Sequence, residues 1–108
     1  MISKADSEGY KEVVPGVLLK TLVNGAQTHL TKVILKKGAL IPEHRHPHEQ
    51  TGYLISGCLR FFSGEKEAVA HPGDSWNLPG GLPHGAEALE DTVVVEVFSP
   101  VREDYLSL

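Results

Sequence analysis

Only one cysteine, Cys58, occurs in the 108 residues, so no internal disulfide can form and a thiolate zinc cluster is excluded. Basic charge is scarce too: 10 Lys and Arg stand against 14 Asp and Glu, a net charge of -4. Nucleic-acid binding rests on a cationic surface, so no nucleic-acid partner is expected. No apolar run approaches the roughly 20 residues of a membrane span, and Met1–Glu8 has no apolar leader core. The expectation is a cytoplasmic protein with no membrane partner. Helical periodicity is also missing, since no stretch keeps an amphipathic period over three turns.

What the chain does have is turns. Its 11 glycines and 7 prolines cut it into short pieces. Between Asn24-Gly25, Lys37-Gly38, Ser56-Gly57, Ser63-Gly64, Pro72-Gly73 and Pro79-Gly80-Gly81 lie segments rich in β-branched and aromatic residues. Residues 28–35, 50–55, 58–62, 67–71 and 92–98 read as strands. Many short strands in one domain predict an all-β sandwich, jelly roll or small barrel. Residues 1–12 are read as a polar N-terminal arm, loose or added to a partner's sheet, and 13–108 as a single domain.

The histidines carry the chemistry. One cluster reads Gly38-x5-His44-x-His46-x3-Gln50-x6-Gly57, and a second reads Gly73-x5-Pro79-x-Gly81-x2-His84. In a strand, His44 and His46 share a face, and Gln50 keeps their parity. His84 joins them once the sheet folds back. Three imidazoles and an amide oxygen suit one divalent transition metal, with Ni, Zn, Fe and Mn as candidates. His48 and Glu49 are expected at the surface, His29 and His71 as partly exposed sheet residues, and Trp76 in the core.

Both clusters resemble the paired motifs of the cupin superfamily, whose second motif ends in asparagine where this chain has Ala88 and whose first usually carries glutamate where this chain has Gln50. The resemblance implies a double-stranded β-helix, or jelly-roll barrel, with His44, His46, Gln50 and His84 on one metal.

Glu96 interrupts the apolar run Thr92–Phe98. A buried carboxylate needs a partner or takes up a proton. Arg60 and Arg102 are its candidate partners, and general acid–base work is the alternative role. Arginine forks also suit a substrate carboxylate. The string Glu96-Val97-Phe98-Ser99-Pro100-Val101-Arg102 resembles the tail of the KdgF type of pectin-degradation cupin, which has aspartate at the position of Glu96. That resemblance implies ring opening of 4,5-unsaturated uronates, with Glu96 and Arg102 catalytic and Phe98, Arg102 and Arg60 binding an anionic sugar. Dioxygen chemistry on another small molecule, and sugar binding without turnover, are the alternatives. Exposed sheet edges and an arm suggest a homodimer.

Overall fold

The computed structural model describes residues 1–108. Ten strands follow one another: β1 Lys11–Val14, β2 Val17–Asn24, β3 His29–Leu35, β4 Leu40–His44, β5 Glu49–Ser56, β6 Leu59–Ser63, β7 Lys66–Ala70, β8 Ser75–Leu78, β9 His84–Ala88 and β10 Thr92–Ser99. A single short helix, α1 Glu103–Leu106, closes the chain. No helix is long and apolar enough to cross a membrane.

The strands form two antiparallel sheets, β1-β2-β3-β10-β5-β8 and β4-β9-β6-β7. Neighbours such as β3 and β10 are distant in sequence, so crossovers between the sheets wind the chain into the expected jelly-roll barrel. β10 lies between β3 and β5. Its alternation is plain: Thr92, Val94, Glu96 and Phe98 are buried inside, while Val93, Val95 and Val97 are half-buried on the outer face. Val17, Leu35, Leu54 and Val94, all nearly inaccessible, anchor the core between the sheets.

All five strands predicted from the turns are present, with ends displaced by a residue or so. The arm is shorter than the sequence suggests. Lys11–Val14 is a strand on the chain's own β2, because Val13 and Val14 have the barrel interior to line. Ahead of it, the Asp6 carbonyl accepts from Lys20 Nζ at 2.7 Å, and that ammonium faces the Tyr10 ring at 5.7 Å.

Candidate metal centre and cavity

β4 and β9 place the first two imidazoles together, since His44 is paired in register with His84. His46 arrives differently. β4 ends at His44 after a bulge, so strand parity does not bring His46 in. It lies in the loop before β5, which holds its ring inward and buried. The Gly81 N–H donates to the His46 carbonyl at 2.8 Å, tying the two motifs to each other. Ligand nitrogens of His44, His46 and His84 lie within 4.8 Å of one another, and the three could hold one ion.

The three rings share one arrangement. Nδ1 of His44, His46 and His84 lies 2.9, 3.0 and 2.9 Å from the carbonyls of Pro42, His48 and Leu82, each two residues away. A carbonyl only accepts, so Nδ1 carries the proton and each Nε2 keeps a lone pair. Such carbonyl partners are those that orient metal-binding imidazoles. Burial lowers the pKa of His84, and of His46 to about 4. Both are therefore neutral at pH 7.

Gln50, from β5 of the other sheet, stands beside this group. Its Nε2 donates to Glu96 Oε2 at 2.5 Å, which turns Oε1 toward His46 Nε2 at 3.1 Å. With the proton on Nδ1 of His46, two lone pairs face each other there. A cation between them removes that repulsion, so the donor set fits a divalent ion. Glutamate at position 50 would instead set a carboxylate against Glu96, which accounts physically for the amide at this position.

Glu96 is buried with neither expected arginine as its partner. Its Oε2 accepts from Gln50 and from Trp76 Nε1 at 3.0 Å. Burial raises its pKa, against the lowering effect of those two donors. Because Oε2 receives both N–H groups, a proton on this carboxyl belongs on Oε1. Gly52 makes the contact possible. It pairs with both Glu96 and Trp76, and a Cβ there would run into the indole ring. Trp76 thus packs on the core, as expected, and has in addition a polar role that its sequence context did not reveal.

Arg102 is 7% exposed and lines the same cavity as His44, Gln50, His84, Glu96 and Phe98, a space of about 340 Å³. Its guanidinium stands 5.1 Å from the Phe98 ring centroid and 3.9 Å from that of Tyr105. The Nε–Nη2 fork is already taken by Asp104, at 3.0 and 2.7 Å. What remains is Nη1, buried and without a partner. A ligand therefore meets one guanidinium nitrogen rather than a fork.

Three sequence expectations are corrected. Arg60 is not part of the cavity lining: it pairs with Glu87 at 3.0 Å and Glu67 at 3.1 Å on the four-stranded sheet, because its strand parity points it away from the interior. His29 is not partly exposed but fully buried, bonded to Thr21 and to the main chain of Arg102. His48 is half-buried, its Nδ1 enclosed without a partner. Glu49 is exposed as expected, whereas His71 is exposed just past the end of β7 rather than partly exposed within a strand.

Known proteins share this fold. The family model for the cupin domain matches residues 31–100. The structure of KdgF from Halomonas sp. is similar with a TM-score of 0.88 and 30% identity, over 96% of this chain and 98% of that one. An RmlC-like cupin from Shewanella frigidimarina NCIMB 400 is similar with a TM-score of 0.88 and 26% identity, over 96% and 94%. No curated protein sequence matches.

Proposed function

The chain belongs to the cupin family, and from that premise we propose that it is a metal-dependent isomerase that opens 4,5-unsaturated uronate monomers into linear keto acids. The observation that carries this reading is the polar end of one cavity. There His44, His84 and Gln50, the buried Glu96 carboxyl and Arg102, whose Nη1 has no partner, line the same space, with His46 beside Gln50.

A divalent ion held by His44, His46, His84 and Gln50 would supply Lewis-acid polarisation of the sugar oxygens. The rest falls to the chain's own side chains. Arg102 Nη1 donates to the uronate carboxylate and holds the ring against Phe98. Opening breaks the bond between the ring oxygen and the anomeric carbon as the proton of the anomeric hydroxyl passes to the ring oxygen. The resulting enol becomes a ketone when carbon 4 gains a proton and the enol oxygen gives one up. Glu96 suits that transfer, because a proton on Oε1 is free of the two bonds that occupy Oε2. No oxidant enters and every atom is conserved. The valine and leucine walls limit the water that competes for these groups.

The test is loss of the conjugated ultraviolet absorbance of a 4,5-unsaturated uronate monomer, compared among metal-loaded protein, a His84→Ala variant and buffer. Loss faster than in buffer, abolished by His84→Ala, supports the reading. A rate equal to buffer refutes it, and oxygen uptake with another substrate would then identify oxidative chemistry.

A further inference from the structure

We propose that His29 is a positioning residue, which sets the place of the Arg102 guanidinium by holding the Arg102 main chain. This rests on the reading of Arg102 as the group that meets substrate. His29 opens β3 and is 0% exposed, and Arg102 lies 73 positions away in sequence. The Arg102 N–H approaches His29 Nδ1 at 3.2 Å. A main-chain N–H only donates, so Nδ1 carries the lone pair and the proton belongs on Nε2. There Thr21 Oγ1 accepts it at 2.7 Å. The ring is thus a two-ended brace between β2 and the C-terminal segment, in one tautomer. That tautomer is the reverse of the one in His44, His46 and His84, so His29 is set apart from the metal ligands by its bonds as well as by its place.

The brace bears on the site because of where Arg102 stands. The residue lies beyond the end of β10 and precedes α1, with no side-chain cap bond to fix the turn. Its guanidinium is held on one edge by Asp104 and on its face by Phe98 and Tyr105. Phe98 is in register with His29 on the neighbouring strand, with ring centroids 6.3 Å apart. His29 therefore supports both the main chain of Arg102 and the ring against which its side chain packs. Removing the acceptor leaves a buried N–H unpaired, and the segment must shift to satisfy it. The guanidinium moves with that segment, and a small misplacement of a substrate-holding group is costly.

The experiment compares His29→Leu, which removes the acceptor, with His29→Asn, whose Oδ1 replaces Nδ1. Amide hydrogen exchange at Arg102 is read alongside steady-state kinetics. In His29→Leu the Arg102 amide should exchange fast and KM should rise about tenfold, with kcat and metal content nearly unchanged. His29→Asn should restore slow exchange and most of the KM. In an Arg102→Ala background, His29→Leu should add little further loss. If His29→Leu does not fold, Thr21→Val gives the same readouts: it frees the ring tautomer, and should speed exchange and raise KM to a smaller extent. Slow exchange at Arg102 in the variant examined, or an equal KM penalty with and without Arg102, overturns the proposal. Absence of any uronate turnover would refute the proposed substrate, and the exchange measurement would still decide the role of His29.

Discussion

Glu96 shows what one side chain gains from its neighbours. A carboxyl at this depth resists ionisation, and the Gln50 and Trp76 donors only partly offset that resistance. Glu96→Gln keeps the shape and removes the transferable proton. Uronate turnover should fall about 10²–10⁴-fold with metal content intact, and unchanged turnover would remove Glu96 from the mechanism. His46 carries a pH signature in the metal-free protein. Burial, and after it the nearby Arg102 charge, lowers its pKa to about 4, while the unfolded chain titrates near the ordinary 6.5. Between those values the unfolded state binds more protons, so stability is full above about pH 6.5 and falls as pH drops toward 4. Denaturant titrations of metal-free protein from pH 7 to 4 should show that fall, and His46→Gln should make it shallower, the remainder belonging to His29, His48 and His84, whose pKa burial also lowers.

At the scale of strands, the turn residues and β-branched runs made five of the ten strands legible, and the two motifs marked the three histidines that the fold brings together. The rest was hidden for identifiable reasons. β2 carries a bulge between Thr21 and Val23, which breaks the alternation expected of a strand. β4 and β9 are short and poor in β-branched residues. Parity suggested that His44 and His46 share a strand, whereas His46 is placed by the loop contact with Gly81. The facing of Arg60 and His29 cannot be assigned until their strand partners are known. The β5–β8 pair is the least obvious part of the site. Gly52 reads as a weak point in a strand, yet its missing side chain lets Trp76 reach Glu96. Gly52→Ala should lower stability by about 1–3 kcal/mol through overpacking and reduce turnover as the indole is displaced. A variant with wild-type melting and activity would show that the ring has room to move.

Taken whole, the barrel has one exposed face that looks unfinished. Val93, Val95 and Val97 on β10 continue into Ile34 on β3 and into Tyr53 and Ile55 on β5, which are 49% and 47% exposed. A strand apolar on both faces belongs in a sheet covered on both sides. Its six strands, about 4.8 Å apart and between about 13 and about 26 Å long, present roughly 600 Å² in plan, approaching the ~800 Å² per partner of a stable interface. The expected occupant is a second copy of the chain. Light scattering should give a dimer, and Val95→Asp a monomer that still binds metal; a monomeric wild type would show that this face stays bare. Elemental analysis of the purified protein tests whether His44, His46, Gln50 and His84 form one metal centre in the barrel. Wild type should carry one divalent transition metal per chain, and His84→Ala little or none at unchanged fold. Wild-type protein that takes up no metal after loading, or His84→Ala that retains it in full, would contradict the account.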